Sequence, residues 1–179
     1  ADRGIPSKNG RPWKGGNKKS RDTFFGSAAL SPTDTNKKAI SMHIDHKFND
    51  NFRVRNRTHY SKFDKFYQNI YANSAVSNSN QVTLGGYNDQ TDRENFFNQS
   101  DLLFNLNTGP IKHNIITGLE VSRQVTKQVR KKAVFGSSKV VSAFDPTYRG
   151  SLSFMDYALS DGKSNHSIST SAVGVYIQD

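Results

Sequence analysis

Apolar and polar residues alternate along residues 101–123, DLLFNLNTGPIKHNIITGLEVSR, in two runs that meet at residues 107–110. Leu102, Phe104 and Leu106 share one parity in the first run, and Ile111, Ile115, Leu119 and Val121 share one parity in the second. Successive side chains of a strand point to opposite faces of a sheet. The pattern therefore predicts a hairpin with one apolar face and one polar face.

The same period of two appears in three further stretches, so the sequence predicts five half-buried strands. They are residues 39–48, 52–61, 96–106, 111–125 and 167–178. Each is close to the roughly 9–11 residues that a tilted strand needs to cross a bilayer.

The connections between these strands alternate in length. Residues 49–51 and 107–110 form short links, whereas residues 67–95 and 126–166 form long ones. Loops longer than about 12–15 residues are uncommon in compact soluble domains, but membrane barrels have short turns at one rim and long loops at the other. The sequence therefore predicts an all-β fold, an antiparallel transmembrane β-barrel segment with long extracellular loops, whose apolar face meets lipid.

The first hairpin predicts which side chains line the lumen. A three-residue turn pairs residues whose numbers sum to 100, which sets Asp45 opposite Arg55 and His43 opposite Arg57. An arginine on the lipid face near the midplane costs about 2–4 kcal/mol. We therefore expect Asp45, Arg53, Arg55 and Arg57 to face the lumen or the domain that fills it.

Aromatic residues follow the second strand and flank the turn before it. They are Tyr60, Phe63, Phe66, Tyr67 and Tyr71 on one side and Phe48 and Phe52 on the other. Two such groups are expected at the two membrane interfaces. A soluble sheet with an aromatic core is the alternative explanation of these residues.

The composition limits the class of protein. Of 179 residues only 34% are hydrophobic, below the roughly 45–50% of average globular domains. The absence of cysteine excludes a disulfide framework and thiolate metal sites, and the sequence has no apolar run of 18 residues that would predict a spanning helix. The net charge of +10 suits either a nucleic-acid partner or a surface that attracts an anionic ligand.

Five strands cannot close a barrel, because even small barrels need about eight. An open sheet edge in lipid leaves backbone groups unpaired, and both ends of the chain look like cuts within a longer sequence. We therefore expect residues 1–179 to be part of a barrel domain, with the remaining strands elsewhere.

Several stretches, in order along nearly the whole chain, resemble TonB-dependent siderophore receptors of the Gram-negative outer membrane, most of all the catecholate type. They are DRGIPSKNGRP (2–12), FFG (24–26), HKFNDNFRVRNRTHYSKFDKFYQNIY (46–71), TDRENFFNQSDL (91–102), GPIKHNIITGLEVSRQ (109–124) and VGVYIQD (173–179). The resemblance implies about five strands of a 22-stranded barrel. The plug domain and the TonB box of that family match nothing in this chain.

The resemblance also implies a location for each connection and a ligand. Residues 1–37, 67–95 and 126–166 would belong to extracellular loops, and the two short turns would be periplasmic. The family binds an anionic ferric siderophore in an outward-facing vestibule through aromatic and basic side chains. The candidates in this chain are Trp13, Arg130, Lys131, Lys132, Tyr148 and Arg149.

The implied partners are the ferric siderophore, outer-membrane lipid and, through the missing plug, the TonB complex. No catalytic motif and no metal-ligand spacing appears: His43 and His46 fall on opposite faces of a strand, and the other histidines are scattered. We expect no enzyme activity, no catalytic or metal site and no cofactor beyond the iron chelate as cargo. Two alternatives stay open, namely a soluble basic β-domain that binds nucleic acid and a porin-like barrel without TonB coupling.

Overall fold

A computed structural model describes residues 4–15, 23–161 and 165–179. Within them the chain forms β-strands and a short 3₁₀ turn at Leu159–Asp161. The strands are β1 (Ser7–Lys8), β2 (Arg11–Pro12), β3 (Thr33–Asn49), β4 (Phe52–Ala72), β5 (Gln81–Thr108), β6 (Ile111–Phe135), β7 (Val140–Ser142), β8 (Leu152–Asp156) and β9 (His166–Gln178). None of the described helical residues makes a segment long and apolar enough to cross a bilayer.

The main sheet contains seven strands in the order β3-β4-β5-β6-β8, with β7 also paired to β5 and β9 also paired to β6. Its five long strands, β3, β4, β5, β6 and β9, overlap the five predicted ones. The sheet is antiparallel, so the predicted fold class is confirmed.

The predicted bounds of the connections were wrong. The strands β4, β5 and β6 contain 21, 28 and 25 residues and take up much of 67–95 and 126–166. The connections that remain are 73–80, between β4 and β5, and 136–165, which holds β7 and β8. The extensions, for example QVTLGGYNDQ at 81–90, contain glycines and polar residues that hide the period of two.

Residues 1–37, predicted to lie in a loop, include a small hairpin and the start of β3. β1 and β2 pair across Asn9 and Gly10, which have φ angles of 53° and 74°. Asn-Gly favours the tight hairpin turn whose two central residues have positive φ. This dipeptide is the sequence pattern that predicts the hairpin.

The chain divides into two compact units. Unit 1 comprises the described residues of Ala1–Thr35, Lys65–Gln90 and Gln128–Asn165. Its hydrophobic core contains Trp13, Phe25, Ile70, Val76, Val82, Leu84, Ala143 and Tyr148. The strand residues of this core are covered by side chains from outside the long strands, so unit 1 is packed like a water-soluble domain.

Unit 2 comprises Asn36–Asp64, Thr91–Lys127 and His166–Asp179. Many of its large apolar side chains are exposed, and we call the surface that they form the apolar face. It includes Ile40, Met42, Ile44, Phe48, Leu102, Leu106, Ile111, Leu119, Val173, Val175 and Ile177. The rings of Phe48, Phe52 and Phe104 stack in a row at the end of this face nearest the Asp50–Asn51 turn, with centroid distances of 5.2 and 5.0 Å.

Four polar side chains interrupt the apolar face. The Asn56 amide donates to Asn98 Oδ1 and to Ser100 Oγ at 3.4 and 2.8 Å, and the Asn98 amide donates to Asn56 Oδ1 and to Thr58 Oγ1 at 3.3 and 2.7 Å. The Thr58 and Ser100 hydroxyls donate to Asn56 Oδ1 and Asn98 Oδ1. Every polar hydrogen of the four side chains is thus used inside the cluster, which lowers the cost of placing these residues in an apolar surrounding.

The contacts between β4 and β5 fix their register in unit 2. Residues that contact across the two strands have numbers that sum to 156; they are Phe52 and Phe104, Arg55 and Asp101, Asn56 and Ser100, Thr58 and Asn98, Ser61 and Asn95, and Lys62 and Glu94. In unit 1 the same sum holds for Asn73 and Thr83, whose backbones are hydrogen-bonded, and for Ile70 and Gly86.

Candidate functional site

The six residues predicted to bind a ligand all belong to unit 1. Two of them, Trp13 and Tyr148, pack in the hydrophobic core. Trp13 meets Phe25 and Phe144 edge-on at centroid distances of 5.9 and 5.4 Å. Tyr148 meets Phe135 edge-on at 4.9 Å, and its hydroxyl donates to the Ser151 carbonyl at 2.8 Å. Both rings are buried in the core and do not present a surface to a ligand in this structure.

Three of the cationic candidates lie near carboxylates on the surface of unit 1. Arg149 donates both terminal nitrogens to Asp145, at 2.9 and 3.1 Å. Because of these hydrogen bonds the pKa of Asp145 lies below its ordinary value of 3.8, and the pKa of Arg149 lies above its own. Lys131 lies 3.9 Å from Asp156, and Lys132 lies 4.0 Å from Asp161.

Arg130 has a more specific environment. Its Nε donates to Asp89 Oδ2 at 2.6 Å, and Gln128 Nε2 donates to the same oxygen at 2.6 Å. Its guanidinium carbon lies 4.8 Å from the centroid of the Tyr87 ring, a cation–π contact. Asp89 is buried, so this carboxylate holds Arg130 in place against the ring.

Tyr87 belongs to a group of tyrosines that the sequence analysis did not assign to a ligand site. Its ring centroid lies 5.9 Å from that of Tyr67 and 6.0 Å from that of Tyr71. Tyr157 interacts electrostatically with Tyr71, Tyr87 and Arg130, and burial raises the pKa of its phenol. All four rings and Arg130 are half-buried, and we call the surface that they form the tyrosine face.

The alternation of side chains along paired strands explains why these tyrosines lie on one face. Tyr67 and Tyr71 share a parity in β4, and Tyr87 lies on the strand paired with it. Gly85 makes room for the face, because a Cβ there would lie 3.3 Å from Tyr71 Cζ and 2.9 Å from Asn73 Cβ. Tyr67 and Tyr71, which the sequence predicts at a membrane interface, meet Tyr87 within unit 1.

The residues predicted to line the lumen lie in unit 2, on the face opposite the apolar one. Asp45 pairs with Arg53, whose Nε donates to Asp45 Oδ1 at 2.6 Å. The prediction had set Arg55 opposite Asp45, but the ion pair of Arg55 is with Asp101 of β5, at 3.3 Å. Arg57 is exposed on the same side of β4.

The register predicted for this hairpin agrees with its other contacts. Ser41 is hydrogen-bonded to His59 at 2.8 Å, and Phe48 stacks on Phe52; both pairs of numbers sum to 100. The Asp45–Arg53 pair is therefore diagonal in the ladder, since a long arginine side chain reaches a neighbour two residues along as easily as the one opposite.

A buried polar network continues this face toward β9. The Tyr176 hydroxyl donates to Asp101, and Gln99 Nε2 donates to the Tyr176 oxygen at 2.7 Å. Tyr176 reaches across Gly118, where a Cβ would come within 2.4 Å of its Cζ. Asp101 of β5 is thus linked to Tyr176 of β9 across the intervening strand β6. This link rigidifies the polar face of unit 2.

Among the residues that the structure describes, no group of three or more histidine, aspartate and glutamate side chains could hold a metal ion. The tyrosine face offers aromatic surfaces, one guanidinium and phenol hydroxyls. Such a surface suits a planar or anionic ligand.

No protein-family model and no curated protein matches the sequence. The fold is similar to the ferric-catecholate import receptor Fiu from E. coli K12 in its open form, with a TM-score of 0.72 and 21% identity, over 99% of this chain and 29% of the receptor. The closed form of Fiu matches with a TM-score of 0.70 and 20% identity, over 99% of this chain and 27% of the receptor. The chain therefore spans less than a third of these receptors, and it has the fold of part of a β-barrel receptor.

Proposed function

We propose that this chain is a barrel segment of a TonB-dependent receptor that imports a ferric siderophore of the catecholate type across the outer membrane of a Gram-negative bacterium. It acts as a receptor and transporter, not as an enzyme. Its ligand is the iron chelate, and the plug domain that would contact TonB lies outside residues 1–179.

The apolar face of unit 2 supports the membrane location. Ile44, Val173 and Val175 are exposed, and the polar groups Asn56, Thr58, Asn98 and Ser100 satisfy one another. A surface of this kind is stable where hydrocarbon is the solvent. The opposite face, with Arg53 and Asp45 ion-paired, suits a wet lumen.

The observation that carries the ligand proposal is the position of Arg130 on the tyrosine face. A ferric catecholate is anionic and presents aromatic rings, so a guanidinium held against Tyr87 complements both properties. Lys131 and Lys132 add positive charge on the same strand, which raises the rate of capture of an anion.

Binding of a ferric tris-catecholate to the chain in detergent micelles tests the proposal. We expect the chelate to quench tyrosine fluorescence, and we expect Arg130→Gln to weaken binding about tenfold, because a charge-assisted contact is lost. Arg11→Gln is the matched control, since Arg11 is exposed on β2 of the same unit. Equal affinity of the Arg130→Gln and Arg11→Gln variants would contradict the proposal.

The two alternative functions give other results in the same preparation. A nucleic-acid-binding domain would be monodisperse without detergent and would bind DNA in a salt-dependent manner. A porin-like barrel would show no saturable binding of the chelate.

A further inference from the structure

Asn69 is a buried amide without a hydrogen-bond partner. Its side chain is 1% exposed, and neither Nδ2 nor Oδ1 is hydrogen-bonded to any group in the described part of the chain. Buried polar groups in proteins are nearly always paired, and an unpaired amide lowers the stability of the fold. Such a group in a native protein calls for an explanation.

The position of Asn69 supplies one. It lies in β4 between Tyr67 and Tyr71, and strand alternation places its side chain on the same face as theirs. The β4–β5 register, in which paired numbers sum to 156, sets Asn69 opposite Tyr87. The Tyr87 ring contacts the rings of both Tyr67 and Tyr71, which flank Asn69 on this face, at centroid distances of 5.9 and 6.0 Å. The unpaired amide is thus the floor of the tyrosine face.

An amide at this position restricts the chemistry of the ligand. It offers a donor and an acceptor side by side, and the complementary group is one that also has both, such as a carboxamide. The tyrosine rings accept a planar aromatic group by offset or edge-to-face contact, and Arg130 favours negative charge. A ligand with an aromatic chelating ring and an adjacent carboxamide matches all three features.

We propose that Asn69 is a specificity-determining residue of the tyrosine face, where its side chain hydrogen-bonds a carboxamide attached to the aromatic ring of the ligand. The Tyr87 ring turns aside as the ligand ring takes its place, which opens the amide. This inference rests on the function proposed above. It adds that the site recognises the carboxamide next to the chelating ring of the ligand.

The test compares two probes, the ferric complexes of 2,3-dihydroxybenzamide and of catechol, which differ by the carboxamide. We expect Asn69→Leu to weaken binding of the benzamide complex about tenfold and to change binding of the catechol complex less than about twofold. Asn88→Leu is the matched control, because Asn88 lies on β5 with the opposite parity to Tyr87 and Asp89. Binding is measured by quenching of tyrosine fluorescence in detergent micelles.

A second measurement on the same variants concerns the free chain. If the amide has no partner before the ligand binds, Asn69→Leu leaves the melting temperature equal or higher, since leucine of similar size replaces an unsatisfied polar group. A lower melting temperature would overturn the inference, because the amide would then be satisfied in the free chain, for example by the π face of Tyr87.

The outcomes separate this inference from the proposed function. Equal effects of Asn69→Leu on both complexes, or no effect on either, would overturn the role of Asn69 while Arg130→Gln still weakened binding of both. Failure of the unaltered chain to bind either complex, with its β-structure in the micelles verified by circular dichroism, would overturn the proposed function and this inference together.

Discussion

Phe25 in unit 1 is 1% exposed, whereas Phe48 in unit 2 is 61% exposed. The contrast extends to the other apolar residues: the buried ones of the core all belong to unit 1, and most of the exposed ones belong to unit 2. Strands β4, β5 and β6 contribute residues to both units. Of these, β4 and β5 carry apolar side chains that are buried in unit 1 and exposed in unit 2.

Exposure of apolar side chains depends on what covers the sheet. In unit 1 the strand residues Ile70, Val82 and Leu84 are covered by Trp13, Phe25 and their neighbours. In unit 2 no described segment covers the apolar face, and hydrocarbon is the solvent that suits it.

The largest effect is expected from truncating matched phenylalanines. Phe25→Ala should lower the free energy of unfolding by about 3–5 kcal/mol, because a buried aromatic ring is lost and a cavity remains. Phe48→Ala should cost only about 1 kcal/mol, the value of its ring contacts with Phe52 and His46, since lipid or detergent fills the space. Urea unfolding in detergent micelles measures both. Equal losses would show that the two units have the same kind of core.

The two methionines of the chain give the next comparison, because Met42 is 52% exposed in unit 2 and Met155 is 49% exposed in unit 1. We expect Met42→Arg to lower the free energy of unfolding in lipid vesicles by about 2–4 kcal/mol, the cost of a lipid-facing charge near the midplane. Met155→Arg should change it by about 1 kcal/mol or less, mainly through repulsion from Lys132 opposite it. If both changes were small, unit 2 would not face lipid.

The smallest effect concerns the exposed ion pair of Asp145 with Arg149 in unit 1. Because Arg149 lowers the pKa of Asp145 in the folded state, the pair stabilises the fold above about pH 4 and loses that contribution as the pH falls through the lowered pKa. The effect is small, since exposed ion pairs are screened by solvent. Arg149→Gln should flatten the fall of the melting temperature between about pH 5 and about pH 2. If the melting temperature of the Arg149→Gln variant fell with pH as steeply as that of the unaltered chain, the ion pair would not persist in solution.

The strand faces could be predicted from the order of residues alone. The period of two identified all five long strands, and the apolar residues of the row from Ile40 to Phe48, together with Leu102 and Leu106, are exposed. Alternation is a local property of the chain, so it can be recognised without tertiary information. The position of Asp45, Arg53 and Arg55 on the face opposite the apolar one followed from the same rule.

The tertiary structure decided which residues are brought together. Sequence reasoning proposed Trp13 and Tyr148 for a ligand site, but segments distant in sequence bury both in the core of unit 1. The polar residues Asn56 and Thr58 share the apolar face with β4 neighbours such as Phe52, and Asn98 and Ser100 on the neighbouring strand satisfy their hydrogen bonds. The tyrosine face around Arg130 likewise depends on the β4–β5 register and on the contact between β5 and β6. Pairing between strands is non-local, and a single sequence does not specify which residue will stand opposite another.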